Sequence, residues 1–439
     1  MKNKLSYLLL MLFDILMVYI SITITYYLTK YFGSSFSFTP TGDVFHYSDK
    51  VIVYILILIN FIGFKVYKYR HDFWEETSLI IKSLVLSSFM LFSVFALTKT
   101  IDEYSRSVIL LSFIVMTVLI PLSKFVLKKK LNLFGLWSEK AFMASSNSEI
   151  IEEIFGNRYL GYVGSSEQEA DVVFMDTVGI SKEKIEEKLS FLAHEKKKVV
   201  FIPMINTFNY SNAGIVEIFN ARTNMIILEN SLLKKTNILV KKVTDAVLSI
   251  LLVPFLIPIF GIIILKMKKE KPNGSIFFKQ ERLGKNGEIF VCYKFRSMRE
   301  DGADVLATYL QENPEEVENY ATYHKYENDP RITKVGDFLR RTSLDELPQI
   351  INVFKGEMSL IGPRPYMLNE KEKIGSKIDM VLAVKPGISG LWQVSGRSDV
   401  DFYSRVDMDI YYTRNWNLWF DIVILLKTIR TVLFREGAS

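Results

Sequence analysis

Sulfur and imidazole chemistry are nearly absent from this chain. Its 439 residues hold one cysteine, Cys292, so no internal disulfide and no thiolate metal cluster can form. His46, His71, His194 and His324 are too scattered to read as a metal site. Any metal should therefore be a hard ion on carboxylates. An excess of one charge is also lacking: 54 Lys+Arg stand against 48 Asp+Glu, a net charge of +6, and no nucleic-acid partner is expected. What is abundant is apolar residue, 49% of the chain with 13% aromatic. Wholesale disorder is excluded, and four long apolar stretches in the first third exclude an ordinary soluble protein. At ~150 residues per domain the length suggests about three units.

The apolar runs fall at about Leu5–Leu28, Val51–Val66, Leu79–Leu97 and Val108–Leu127, each near the ~20 residues that cross a ~30 Å hydrocarbon core. The first is too long for a removable signal peptide, and no small-residue cleavage site follows it. Lys2 and Lys4 precede the first run, Lys65, Lys68 and Arg70 follow the second, and Lys124, Lys128, Lys129 and Lys130 follow the fourth. The stretch Tyr31–Asp49 has no Lys or Arg. The positive-inside rule puts both ends of this bundle in the cytoplasm. Asp14, the one carboxylate within the four runs, reads as a hydrogen-bonding group between helices.

From about Ser138 to Asn230, β-branched runs at Asp171–Met175, Lys198–Ile202 and Met225–Leu228 alternate with helical patterns such as Lys182–His194. That alternation predicts a small parallel sheet with crossover helices. A dinucleotide site would need glycines in the first strand-to-helix turn; the turn reads Ala144-Ser145-Ser146-Asn147-Ser148. A structural or regulatory role is expected rather than nucleotide binding.

A fifth run, Ala246–Leu265, contains Pro254 and Pro258, each of which removes a helical N–H. Lys234, Lys235, Lys241 and Lys242 flank one end and Lys266, Lys268 and Lys269 the other. Basic flanks at both ends place both in the cytoplasm. The expected form is a helix broken at Pro258 that dips into one leaflet and returns, the freed carbonyls re-satisfied by neighbouring protein or Ser249. The alternative is a proline-kinked fifth span.

The region from Lys279 is dense in Gly, Pro and Arg. Pro348 is tolerated only in a first helical turn, so Asp345 is predicted as the cap of a helix, with Glu346 beside it. A cap at Ser343 would push Pro348 into the second turn. Two carboxylates at the positive end of a helix dipole should have lowered pKa values. They point ~100° apart, so one could attack phosphorus while the other holds Mg²⁺. The plain alternative is that they only cap a helix. Against it stand Arg282, Lys294, Arg296, Arg331, Arg340, Arg341, Arg364 and Arg397 beside Gly-Pro turns, a cation surplus suited to a diphosphate.

These motifs carry a resemblance. Lys242 to Asp245 before the proline-containing helix, Phe277–Arg282, Lys294–Met298, Leu344–Gln349, Gly362–Pro365 and Pro386–Arg397 together resemble the bacterial sugar transferases, the monotopic phosphoglycosyl transferase superfamily. The likeness runs from Lys241 to Ser439 almost end to end. With four N-terminal spans and a middle α/β domain, the chain looks like the long form that starts capsule, O-antigen or exopolysaccharide synthesis. The resemblance implies three parts: an α-helical membrane bundle (1–134), a small cytosolic α/β Rossmann-like domain (135–235) and a mainly helical monotopic catalytic domain (236–439) with a re-entrant helix over 240–268. It implies that Asp345 attacks the β-phosphate of a UDP-hexose, galactose favoured and glucose next, releasing UMP. Undecaprenyl phosphate would then take the hexose-phosphate. Glu346 would hold Mg²⁺, Asp409 would support the metal or site, and Arg364 would bind the nucleotide. Arg282, Lys294, Arg296, Arg331, Arg340 and Arg397 would contact substrate. Where many relatives have Ser before the breaking proline, this chain has Ile257.

The implied setting is the cytoplasmic face of a bacterial inner membrane. Four short-looped spans could make a homodimer interface. The tail Trp416–Phe434 is too polar to span and suits either an interfacial helix or packing on the catalytic domain. The rival classes are a transporter with a cytosolic domain and a catalytically retired scaffold for polysaccharide assembly.

Overall fold

A computed structural model describes residues 2–33, 39–144, 148–176, 185, 192, 197–202, 213–218, 223–227, 231–270, 274–313, 329–395 and 400–434. The chain is mostly helical and divides into two compact units, Met1–Asn206 and Thr207–Ser439.

In the first unit, helices Lys2–Phe32, Val51–Gly63, Phe73–Leu97 and Arg106–Leu133 are long and apolar enough to cross a membrane, the second together with the short helix Val44–Ser48 before it. Their inward faces meet in a core containing Val18, Ile22, Ile57, Phe61, Ile80 and Met116. Leu12, Ile59, Phe89, Ile114 and Val118 point outward and stay exposed, as lipid-facing residues would. The helices overrun the apolar runs because polar residues extend them. Asp72 accepts from Trp74 N at one start, and Glu75 and Glu76 fill the following turn.

Asp14 is not a lone hydrogen-bonding group. Lys124 Nζ lies 3.0 Å from Asp14 Oδ2 and 3.2 Å from Glu76 Oε1, and Lys128 also pairs with Glu76. Tyr67 and Tyr159 donate to Asp14 and Glu76. Lys124 and Lys128 stand four residues apart on one helix face, so both turn inward and are fully buried. These two lysines are interior partners rather than free flanking charges.

The same unit holds a four-stranded parallel sheet in the order β2-β1-β3-β4, from Tyr162–Gly164, Glu139–Ala144, Val172–Asp176 and Lys198–Ile202. Val172, Val173, Phe174 and Met175 are all buried, as a strand covered on both faces requires. Residues 145–147, the centre of the turn without glycine, and most of Lys182–His194 lie outside the described residues. The run at Met225 corrects the sequence reading: it belongs to β6, Thr223–Ile227, which pairs antiparallel with β5, Gly214–Ile218, in the second unit. Apolar pattern alone does not separate a parallel strand from one arm of a hairpin.

The second unit is organised on the 36-residue helix Lys235–Glu270, which runs unbroken through Pro254 and Pro258. One face packs on this unit along its length. Leu248, Leu256 and Phe260 pack against the cluster that holds Val353, Met358 and Leu360, and Ile263 belongs to a cluster with Phe295 and Leu339. Lys241 Nζ donates to Asp421 Oδ2 at 2.8 Å near the start, and Glu270 accepts from the backbone of Lys334 and Val335 at the end. The opposite face, with Val243, Val247, Ile250, Leu251 and Phe255, is exposed. Ser249 re-satisfies no freed carbonyl among the described residues: it is fully buried and its Oγ has no hydrogen-bond partner there.

The tail forms helix Leu418–Phe434. Asp421 also accepts from Tyr412 Oη at 2.7 Å and Trp416 Nε1 at 2.9 Å, and Ile424 is fully buried. Packing on the rest of the second unit is therefore what fixes its inner face, while Leu426 and Ile429 remain exposed.

Candidate active site

The site is assembled from three pieces of the second unit. The first is the hairpin of β7, Phe277–Leu283, and β8, Ile289–Phe295. Along β8 the side chains alternate, so Cys292 and Lys294 share one face while Phe295 goes into the core behind. Cys292 is buried, and burial pushes its thiol up to about 11, which makes it inert.

The second piece is the short 3₁₀ helix Leu344–Gln349, leading into helix Ile350–Lys355. The cap is Ser343, in a left-handed conformation (φ 55°), with no side-chain cap bond; Asp345 and Glu346 lie in the first turn. This corrects the sequence reading of Asp345 as cap: the cap lies two residues earlier, at Ser343. In a 3₁₀ helix the hydrogen bonds run i to i+3, so Pro348 removes one donor without the clash it makes inside an α-helix.

The third piece is Gly362-Pro363-Arg364-Pro365, which follows β9, Ser359–Ile361, paired in parallel with β10, Gly387–Ser389. A Cβ on Gly387 would sit 2.1 Å from Gly362 N, so the backbones approach this closely only with glycine there. Leu283 N donates to Tyr366 O at 2.9 Å, and Arg282 Nη1 donates to Pro365 O at 3.1 Å. These bonds strap the segment along β7.

The two adjacent carboxyls are in different states. Burial raises Asp345, the Glu346 charge beside it adds to the rise, and Lys294 and Arg340 only partly offset it, leaving it at about 6. Burial acts on Glu346 in the same direction. There Lys294, Arg364 and Arg282 outweigh it and hold the carboxyl below its usual value. Lys294 Nζ donates to Glu346 Oε1 at 2.6 Å. The helix dipole does not lower both pKa values as expected, because desolvation and like charge outweigh it at Asp345.

Arg282 Nε and Arg364 Nε are buried without a hydrogen-bond partner among the described residues. The Arg364 guanidinium lies 5.2 Å from the Trp392 ring. Unmet guanidinium donors beside an ionised carboxylate make a site short of anionic acceptors, and phosphate oxygens match that shortage.

The other predicted cations are engaged elsewhere. Arg331 makes two hydrogen bonds to Asp329, at 2.8 and 2.6 Å. Arg296 Nη1 pairs with Glu300 at 3.3 Å, and its buried Nε, like those of Arg282 and Arg364, has no partner among the described residues. Arg340 Nε donates to Ser297 Oγ at 2.9 Å while its charge acts on Asp345. Arg341 pairs with Asp337. Arg397 lies outside the described residues.

Asp409 sits on helix Phe402–Asn415 and is fully buried. Its Oδ2 accepts from Tyr366 Oη at 2.8 Å and Arg364 N at 3.3 Å, and burial pushes its carboxyl up to about 7. It braces the Arg364 backbone from inside. Tyr366 and Arg405 were missed by sequence reasoning. Arg405 is one helical turn before Asp409 and lies over the Tyr366 and Trp392 rings at 5.5 and 5.2 Å. That spacing was the available signal.

Among the described residues no group of three or more His, Cys, Asp or Glu could hold a metal ion. Mg²⁺ is commonly held by one or two carboxylates with substrate phosphates. Asp345 and Glu346, both partly exposed, fit that donor set, while Asp409 is fully buried and its Oδ2 accepts from Tyr366 Oη and Arg364 N.

Residues 236–435 match the profile of the family described as "Bacterial sugar transferase". Across 425 residues the chain is 33% identical to the undecaprenyl-phosphate galactose phosphotransferase of Salmonella typhimurium, covering 89% of this chain and 88% of that protein. The chain belongs to the bacterial sugar transferase family. It is also 32% identical to the UDP-galactose-lipid carrier transferase of Erwinia amylovora, over 91% of both chains. The UDP-glucose:undecaprenyl-phosphate glucose-1-phosphate transferase of Escherichia coli K12 is 38% identical over 246 residues, 54% of this chain and 49% of that protein. The family match spans all three pieces of the site, the hairpin, the 3₁₀ helix and the Gly-Pro-Arg-Pro segment.

Proposed function

We propose that this transferase moves hexose-1-phosphate from a UDP-hexose, galactose before glucose, to undecaprenyl phosphate. The products are UMP and an undecaprenyl-diphosphate sugar. The observation that carries the reading is the split between Asp345 and Glu346 beside the unmet donors of Arg282 and Arg364. Two like carboxyls driven apart in pKa divide their roles.

An Asp345 carboxylate oxygen attacks the sugar-bearing β-phosphorus. The bond from that phosphorus to the bridging oxygen breaks, and UMP leaves with the electron pair. A phosphate oxygen of undecaprenyl phosphate then attacks the same phosphorus and expels the Asp345 carboxylate. Arg282 and Arg364 bind the diphosphate oxygens, and Asp409 holds Arg364 in place through its backbone N–H and Tyr366. Glu346, with Asp345 beside it, would hold Mg²⁺, which when bound supplies charge neutralisation on the diphosphate. Full negative charge on the nucleophile is thereby made compatible with an anionic substrate.

The acceptor phosphate lies at headgroup depth, so the site must sit at the membrane face. Packing of helix Lys235–Glu270 on one unit at both ends, with an apolar outer face between, supports a segment embedded in one leaflet at the cytoplasmic side of the inner membrane. The decisive experiment is UMP release from a panel of UDP-sugars by the protein in lipid, with Mg²⁺ and undecaprenyl phosphate, against Asp345→Asn. Mg²⁺-dependent release lost in the variant supports the reading. Full activity in the variant, or no reactive donor, brings the scaffold reading forward.

A further inference from the structure

A cavity with a cluster of lysines lies in the same unit, built from residues other than those of the candidate site. Its volume is about 360 Å³, and it opens where the long helix begins, between Lys241–Ser249, the 285 turn, residues 353–359 and Val384–Lys385. None of Arg282, Lys294, Asp345, Glu346 or Arg364 lines it.

Its polar walls are mostly cationic. Lys241, Lys242, Lys285 and Lys385 face one carboxylate, Asp245. Asp245 is already occupied, accepting from Ser359 Oγ at 2.7 Å and Leu360 N at 3.3 Å, and Lys241 is held by Asp421. Lys242, Lys285 and Lys385 make no hydrogen bond or ion pair among the described residues. Like charges gathered in a cavity repel one another unless an anion joins them. Lys385 feels this: burial lowers its pKa, and Lys242 and Lys285 lower it further.

An independent observation points the same way. Ser249 lines this cavity, is fully buried, and its Oγ has no partner among the described residues. A buried hydroxyl left unpaired costs about 1–3 kcal/mol, so a ligand oxygen is the missing partner. The remaining walls, including Leu232, Ile238, Val353 and Met358, are apolar. Beside the mouth, Val243, Val247 and Ile250 present the exposed face of the long helix. Lysines at the root of an apolar helical face sit where anionic headgroups collect.

We propose that this cavity binds the phosphate of a membrane lipid, with Lys242, Lys285 and Lys385 on the phosphate oxygens, Ser249 as a buried donor and the apolar wall against the first carbons of the lipid. The lipid phosphate anchors the base of the long helix and sets its depth. The site uses the lipid contact of that helix and shares no lining residue with Asp345, Glu346, Arg282, Lys294 or Arg364.

The test places the full chain in nanodiscs of phosphatidylcholine with and without phosphatidylglycerol, and counts retained phosphatidylglycerol by native mass spectrometry after detergent release. Wild type should retain it. Lys242→Gln/Lys285→Gln/Lys385→Gln should retain at least about tenfold less, since each lysine near an anionic surface contributes roughly fivefold. Ser249→Ala, which keeps every charge and changes volume little, should give a smaller loss in a chain of unchanged elution volume. Asp345→Asn should retain lipid as wild type does, which separates this site from the transfer reaction. Adding undecaprenyl phosphate distinguishes the sources: displacement of phosphatidylglycerol assigns the cavity to the acceptor's phosphate, and no displacement assigns it to bulk lipid. Equal retention in wild type and the lysine variant overturns the proposal, as does displacement by millimolar inorganic phosphate alone.

Discussion

Lys294 Nζ lies 2.6 Å from Glu346 Oε1, and this contact separates the fates of two neighbouring carboxyls. Glu346 is kept ionised by three cations, while Asp345 is pushed up to about 6. An acid poised near the working pH can switch between ionised and neutral forms at low cost. The first predictions test that division.

Asp345→Asn should lower UMP release by at least about a thousandfold, because an amide cannot form the covalent adduct. Glu346→Gln should lower it as well, but the remaining activity should respond to Mg²⁺ concentration with a weaker apparent affinity. Unaltered metal dependence in that variant would remove Glu346 from the metal site.

The pH profile follows from the raised Asp345. Only the ionised form attacks, so kcat/KM should fall below about pH 6, approaching tenfold per unit. Glu346→Gln removes the neighbouring negative charge and should move this acid limb to lower pH. A limb that stays in place would mean that another group controls it.

Asp409 gives a stability prediction with a defined sign. Its carboxyl is at about 7 in the folded protein and near 3.8 in the unfolded chain. The folded state therefore holds more protons between those values, and stability falls as pH rises from about 4 through about 7. Asp409→Asn keeps an acceptor for Tyr366 and Arg364 but does not ionise, so its thermal midpoint should vary less with pH. Parallel pH curves for wild type and variant would contradict a raised Asp409 carboxyl.

In the membrane unit, Lys124→Met leaves Asp14 and Glu76 buried with one cation fewer. Breaking a buried ion pair from one side costs about 3–5 kcal/mol. Thermal unfolding in detergent should show a marked loss for this variant, and Asp14→Asn/Lys124→Met together should recover part of it.

Much of the protein was legible in the sequence. Long apolar runs can be satisfied only by helices in lipid, so Leu5–Leu28 and its three successors announced the bundle directly. Pro348 pointed to a helix starting near Asp345 and Glu346, although the cap is Ser343 and Pro348 falls beyond the first turn. These features are local, carried by backbone hydrogen bonding and residue type.

The tertiary structure decided what depends on residues distant in the chain. Sequence could not tell which of the cations would find a carboxylate nearby: Arg331 is taken by Asp329, while Arg282 and Arg364 keep unmet donors. Nor could it separate Asp345 from Glu346, since a pKa depends on the solvent and charge gathered around a group and not on its neighbours in sequence. Asp409 turned inward for the same reason, and Lys241, Lys242, Lys285 and Lys385 met across as many as 144 positions only because the fold brought them to one cavity.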